Sequence, residues 1–320
     1  MRAFQAISHD SPPILTEVPR PTPQSGEIEL RIRACGLNFA DLLMAKGTYQ
    51  DTPPLPFTLG LELAGEVVGI GPEVEGFSVG QRVAVNAGHG GLAEYGCFPA
   101  QVAMPIPDEM PFTDAAAFAV AYGTSHLGLT RRARLQPGQR LVVLGAAGGV
   151  GLTAVEIGAQ LGAEVVAVAR GPDKLAIARE AGAHHLIDSE TEDLRERVKA
   201  LGGADVVDDA VGGALTVAAI RACKPEARVL LVGFASGELP KLAANHLLVK
   251  NVEVIGFYWG AYRLFAPEAL TDSLKELVGW YLDGRLTPHV SRTFPLDQAE
   301  EALEFLRGRK STGKVVVTMD

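Results

Sequence analysis

Cysteine is scarce here, and the scarcity is informative. The 320 residues hold 3 cysteines, Cys35, Cys97 and Cys223, far apart and without a CxxC pair. An odd, sparse set argues against both a disulfide framework and a cysteine-rich zinc site, and makes a reducing cytoplasm the expected location. Basic charge is also in short supply: 29 Lys+Arg against 38 Asp+Glu leave a net charge of −9. Nucleic-acid affinity depends largely on clustered cations neutralising phosphates, so this balance argues against a polyanion binder. No long apolar run is present. The most apolar stretch, 115–122, is too short to span a bilayer. The opening MRAFQAISHD has no apolar core of the secretory type. Internal repeats, low-complexity tracts and long charge runs are missing as well.

What is present describes an ordinary folded protein, with 47% hydrophobic and 21% charged residues. At roughly 100–200 residues per domain, the length suggests two domains. The 36 glycines point to tight backbone turns. The first hundred residues read as short strands, over 28–34, 63–70, 82–85 and 93–98, punctuated by Pro and Gly. One helix is expected over 39–46, ended by Gly47. The character changes near Thr124. Strand patterns over 141–144, 165–169, 185–187, 206–208, 229–232 and 252–256 alternate with helical patterns over 149–161, 173–181, 191–201 and 214–222. Such alternation implies right-handed βαβ crossovers and a doubly wound parallel sheet. Beyond Pro267 the order changes again, to helices over 268–283 and 296–306 and a strand over 314–318.

The strand over 141–144 runs into Gly145-Ala146-Ala147-Gly148-Gly149-Val150-Gly151 and then a helix. Glycines let a backbone turn tightly and approach a pyrophosphate, and a helix N-terminus offers free N–H groups at the positive end of its dipole. The flanking strand, helix and next strand make this a strong dinucleotide signal. Ala146 stands where the first glycine of G-x-G-x-x-G would be, which is acceptable while its φ stays negative. The second strand ends at Ala169-Arg170, with Lys174 four residues on. An NAD site usually places a carboxylate here for the ribose 2′-hydroxyl. Two cations instead suit a 2′-phosphate, so NADPH is expected over NADH.

With this placement the chain resembles the medium-chain dehydrogenase/reductase superfamily, and most of all its zinc-independent quinone oxidoreductase family. The resemblance covers nearly the whole chain. It rests on Asn38-Phe39-Ala40-Asp41, Gly47-Thr48-Tyr49, the run Gly60-Leu61-Glu62-Leu63-Ala64-Gly65-Glu66-Val67, the AAGGVG loop over 146–151 and Gly313-Lys314-Val315-Val316-Val317. It implies an α/β protein: a chaperonin-10-like β-barrel catalytic domain over 1–122 and 266–320, with a Rossmann cofactor domain over 123–265. It also implies a homodimer that pairs cofactor-domain sheet edges, which makes 252–257 the edge strand.

Where zinc relatives have their first catalytic Cys this chain has Asn38, and where they have Gly-His-Glu it has Gly60-Leu61-Glu62. Neither Asn nor Leu is a ligand zinc prefers, and the isolated His89 is more often structural, so no metal is expected. Without a Lewis acid, stabilising an alkoxide is difficult. Hydride addition to a quinone or an α,β-unsaturated carbonyl is easier, because charge spreads over a conjugated carbonyl and one hydrogen-bond donor can suffice. An NADPH-dependent, zinc-free reductase of small quinones or enones is the leading reading. The alternatives are an enoyl-thioester (enoyl-CoA) reductase and a non-catalytic NADPH-binding protein. By resemblance, Tyr49 is the candidate proton donor, Asn38 a nicotinamide-side or substrate contact, and Asp41 a third catalytic candidate that orders its loop. For the cofactor, the resemblance adds Thr124, Gly233, Phe234, Phe257, Tyr258 and Arg309 to Ala146, Gly148, Gly149, Val150, Gly151, Arg170 and Lys174.

Overall fold

The computed structural model describes residues 1–319. They form two compact units, one made of Met1–Val120 together with the residues from Pro288 on, the other of Ala121–Thr287.

The first unit is built on a seven-stranded sheet. Its order is Val290–Pro295, Lys314–Thr318, Glu27–Leu37, Glu62–Ile70, Arg82–Asn86 and Ala103–Pro105, with Tyr95–Pro99 also pairing on Glu27–Leu37. A three-stranded sheet of Ile14–Glu17, Arg2–Ala6 and Phe57–Thr58 completes it. Alternation decides which faces are apolar: Leu63 and Val85, register partners across two strands, both enter the core, with Leu30, Ile32, Val315 and Val317. The neighbouring pair, Glu62 and Asn86, therefore projects from the opposite face. On that face Gly36 is obligatory, because a Cβ there would stand 2.1 Å from the carbonyl oxygen of Ala116. The strands Arg2–Ala6, Ile14–Glu17 and Val290–Pro295 were not expected from sequence patterning.

The second unit holds a six-stranded parallel sheet. Its order is His185–Asp188, Glu164–Ala169, Arg140–Leu144, Ala204–Asp209, Cys223–Leu231 and Glu253–Gly256. Numbered along the chain this is 3-2-1-4-5-6, the dinucleotide-binding order. Glu253–Gly256 is an edge strand, where the resemblance puts it. Helices Gly149–Gln160, Pro172–Glu180, Leu194–Ala200 and Gly213–Ala222 form the crossovers.

One boundary differs from expectation. Residues 266–287, expected to return to the barrel, cluster with the sheet unit. Helix Pro267–Leu282 is fastened there by individual side chains. Ser273 Oγ lies 2.8 Å from His126 Nδ1, and the Trp280 ring meets the His126 ring edge-on at 5.3 Å. Thr287 N donates to Glu156 Oε1 at 2.7 Å. Among the described residues no helix is long and apolar enough to cross a membrane.

Candidate active site and cofactor cradle

The glycine-rich turn follows strand Arg140–Leu144. Gly145 takes a positive φ of 72°, and the N–H groups of Gly145 and Ala146 both donate to Val168 O at 3.0 Å. Ala146 is buried and its φ is not positive, so alanine fits there. Gly151 is the tightest position of the turn, because a Cβ would stand 2.2 Å from Gly145 O. Gly148 is different. It is exposed, and a Cβ there would meet nothing nearer than Gly145 O at 3.4 Å. Helix Gly149–Gln160 then begins with no side-chain cap. The N–H groups of Gly149, Val150 and Gly151 occupy the first turn, where no intrahelical acceptor exists. Open space over Gly148 beside uncapped donors is what a pyrophosphate requires.

Thr124 sits nearly buried on helix Ala119–Leu127. Its neighbour Ser125 fastens that helix to the turn, donating to Val150 O at 3.0 Å and sharing a hydrogen bond of 2.7 Å with Thr153 Oγ1. Arg170 is exposed immediately after strand Glu164–Ala169, and Lys174 lies half-buried in the first turn of helix Pro172–Glu180. Sequence reading missed Asp188, the register partner of Ala169 on the adjacent strand. Hydrogen bonds from the N–H groups of Glu190 and Gly171 hold its carboxyl below the usual range. A carboxylate thus stands on the strand end next to Arg170. The pairing of parallel strands could have flagged it.

Gly233 and Phe234 follow strand Cys223–Leu231, with Phe234 exposed. Phe257, a cofactor candidate by resemblance, has its ring buried against Tyr262 at 5.7 Å between centroids. Its side chain belongs to the core. Tyr258 is half-buried, with its hydroxyl close over Gly260. Arg309 lies exposed in the first unit, at a positive φ of 53° after helix Ala299–Arg307.

The first unit gathers Asn38 and Asp41 with two residues that the sequence reading quoted but did not single out, Glu62 and Lys314. Lys314 Nζ lies 2.6 Å from Glu62 Oε1, 2.8 Å from Asn38 Oδ1 and 2.8 Å from Leu37 O. Asn38 Nδ2 donates to Glu62 Oε1 at 2.9 Å, and Glu62 Oε2 accepts Val120 N at 3.0 Å. Asp41 is fully buried. Its Oδ2 accepts Asn38 N at 2.8 Å and its Oδ1 accepts Gly60 N at 3.0 Å. Burial pushes its pKa up to about 7, against the opposing pull of the Asn38 N–H, Lys314 and the Gly60 N–H. Both oxygens are engaged and neither reaches the surface. Asp41 therefore corrects to a positioning residue that ties the start of helix Phe39–Ala45 to Gly60, not a group that meets substrate. Tyr49 is half-buried in the turn that follows, its carbonyl accepting Thr52 Oγ1 at 2.7 Å.

Residues 24–108 match the alcohol dehydrogenase GroES-like domain family, and residues 149–277 match the family described as zinc-binding dehydrogenase. The quinone oxidoreductase-like protein 2 homolog of Nematostella vectensis is 41% identical over 299 residues, 92% of this chain and 82% of that protein. The chain belongs to the quinone oxidoreductase type of medium-chain dehydrogenases/reductases. Another relative of this type, quinone oxidoreductase-like protein 2 of Bos taurus, is 37% identical across 99% of this chain and 92% of its own length. Quinone oxidoreductase from Thermus thermophilus, solved alone and in complex with NADPH, superposes with a TM-score of 0.87 at 33% identity, covering 99% and 100% of the two chains. The Escherichia coli quinone oxidoreductase complexed with NADPH gives a TM-score of 0.91 at 27% identity, with the same coverage.

The zinc in one matching description does not fit this member of the quinone oxidoreductase type. Asn38 and Leu61 supply no thiolate or imidazole. The oxygens that converge beside Asn38 already hold a cation, the Lys314 ammonium. Among the described residues no group of three or more His, Cys, Asp or Glu could hold a metal ion.

Proposed function

We propose that the chain is an NADPH-dependent, zinc-free reductase that transfers a hydride to a quinone or an α,β-unsaturated carbonyl. The observation that carries the proposal is the uncapped N-terminus of helix Gly149–Gln160 behind an exposed Gly148. When bound, NADPH supplies the hydride. The chain's own residues do the rest. The N–H groups of Gly149, Val150 and Gly151 take the pyrophosphate, and Arg170 and Lys174 pair with the 2′-phosphate. Asp188 stays charged on the adjacent strand end, its Oδ1 accepting the N–H groups of Gly171 and Glu190. Tyr49 donates a hydrogen bond to the carbonyl oxygen as charge develops there, the kind of stabilisation a conjugated acceptor needs most. Because the cation beside Asn38 is an ammonium with all three hydrogens engaged, it cannot polarise a substrate carbonyl as a Lewis acid does. Conjugated acceptors fit that limitation.

The test is fluorescence titration of NADPH and NADH with wild type and Arg170→Ala, followed by NADPH oxidation with a benzoquinone acceptor. Selective NADPH binding that weakens in the variant, together with turnover, supports the reading. NADPH quenching without turnover of quinones or enones would leave a non-catalytic binder, and turnover of enoyl-thioesters alone would favour that alternative. Tyr49→Phe is expected to slow enones more than quinones, and undiminished rates on both would remove Tyr49 from the chemistry. We also propose that two copies pair along the edge strand Glu253–Gly256. Leu264 and Phe265, 86% and 66% exposed, follow it in sequence. Light scattering of wild type and Phe265→Glu checks this. The free thiols of Cys35, Cys97 and Cys223 suit a reducing cytoplasm.

A further inference from the structure

The hydrogen-bonding capacity of Asn38 can be counted completely. Its Nδ2 carries two hydrogens. One goes to Glu62 Oε1 at 2.9 Å and the other to Gly36 O at 3.3 Å. Its Oδ1 accepts Lys314 Nζ at 2.8 Å. The backbone N–H goes to Asp41 Oδ2 at 2.8 Å, and the backbone carbonyl accepts Asp41 N at 3.0 Å. On the side chain, one lone pair on Oδ1 is what remains. A side-chain amide in a neutral setting can present either end by flipping. Here a flip turns the NH2 against the Lys314 ammonium and the oxygen against the Glu62 carboxylate, so two attractions become two repulsions. The charges that enforce this are themselves shut away, with side chains only 6% and 1% exposed, while Asn38 is half-exposed. In so dry a setting charge–dipole contacts are strong.

We infer that the Lys314–Glu62 ion pair locks Asn38 as a hydrogen-bond acceptor, so the ligand group that docks on it is a donor, a hydroxyl or an amide N–H, and not a carbonyl oxygen. The inference rests on the proposed reductase reading for its choice of ligands. Two sources carry the donor chemistry: the hydroxyl and carboxamide groups of the dinucleotide, and a hydroxyl on the acceptor. A carbonyl acceptor is left to another donor, the role proposed for Tyr49.

The experiment uses the full chain as wild type, Asn38→Ala and Asn38→Asp, with thermal melts to establish that each folds. NADPH affinity is read by fluorescence. KM is read for a plain quinone and for the same quinone bearing a hydroxymethyl group. Asn38→Ala is expected to weaken either NADPH binding or the hydroxymethyl quinone by about three- to tenfold, the size of one lost hydrogen bond. Asn38→Asp keeps an oxygen on Lys314 but turns its second oxygen against Glu62 and Gly36 O, so it should melt below Asn38→Ala. A change in NADPH affinity identifies the nucleotide as the source, and a change confined to the hydroxymethyl quinone identifies the substrate. Lys314→Met/Glu62→Gln removes both charges and frees the amide to present either end, so it should show a loss at the same ligand, smaller than that of Asn38→Ala. Full retention in that double variant overturns the lock. So does a folded Asn38→Ala in which nothing moves, or one in which only the plain quinone weakens, since a carbonyl was then docking on the amide. A wild type that binds NADPH and reduces neither quinone sinks the reductase reading separately. The nucleotide affinities then decide the lock alone, and an unchanged value in Asn38→Ala overturns it.

Discussion

Asp208 lies on strand Ala204–Asp209, fully buried, and neither carboxyl oxygen has a hydrogen-bond partner. Its neighbour Asp209 is the opposite case. Asp209 accepts the N–H groups of Val211 and Gly212 at 2.8 and 2.9 Å and the Thr216 hydroxyl. Burial pushes the Asp208 pKa from its ordinary 3.8 up to about 7, and the nearby Asp209 charge adds to the rise. A proton held more tightly by the folded form than by the unfolded one has a definite sign. The contribution to stability is fully present below pH 3.8 and is lost as pH rises through about 7. At ~1.4 kcal/mol per tenfold change in proton affinity, the whole effect is about 4 kcal/mol, an upper bound for a group that can draw in water when ionised. Asp208→Val gives the strand a β-branched apolar residue and abolishes the titration. Relative to wild type, the variant should gain about 2–3 kcal/mol more at pH 8 than at pH 5, from the same linkage. For a unit of this size that is roughly 4–12 °C in Tm. The assay is thermal and urea unfolding of both proteins from pH 5 to pH 8, taken as differences so that other titrating groups cancel. A difference flat across that range would refute the reasoning, because it would show Asp208 charged and satisfied in the folded protein.

Three other perturbations have definite expected outcomes. Gly151→Ala places a Cβ 2.2 Å from a backbone oxygen that cannot move aside, so NADPH binding should be lost by fluorescence titration while a two-step melt locates the damage in the sheet unit. Lys314→Met strands the Glu62 carboxylate in the core and should cost about 3–5 kcal/mol in urea unfolding, whereas Lys314→Met/Glu62→Gln should recover most of that loss. Asp41→Asn keeps one acceptor but turns an amide N–H toward a second backbone N–H, so about 1–3 kcal/mol of stability should go, with Tm falling. An unchanged Tm would mean that the contacts to Asn38 and Gly60 are not both made.

Much of the sheet unit was legible in the sequence because each of its strands is followed by a turn and a helix, and the periodicities of 2 and 3.6 alternate cleanly. Local chemistry also placed the glycine turn, since Gly145 takes a positive φ and Gly151 makes a close backbone approach. The limit at 287 was not legible. Helix Pro267–Leu282 is apolar on one face whichever unit it joins, and single contacts through His126 and Glu156 decide the matter. Strand Ile14–Glu17 escaped notice because its residues are exposed or half-exposed and it pairs only as an edge. At the candidate site, Asn38 and Asp41 could be read from a single motif. Their partner Lys314 could not, because nothing local marks an ammonium whose carboxylate lies 252 residues earlier.

That separation bears on how the molecule comes into being. Synthesis proceeds from the N-terminus, so Glu62 and the strands around it exist long before Lys314 does. The stretch Ala121–Thr287 contains all six strands of its sheet without interruption and can close as soon as it emerges. The unit that begins the chain must wait for strand Lys314–Thr318, which slots between Val290–Pro295 and Glu27–Leu37. Until then a carboxylate sits in an unfinished apolar shell without its cation. The arrival of one strand thus closes the sheet and neutralises the buried charge in the same event, and the first unit to be translated is the last to be finished.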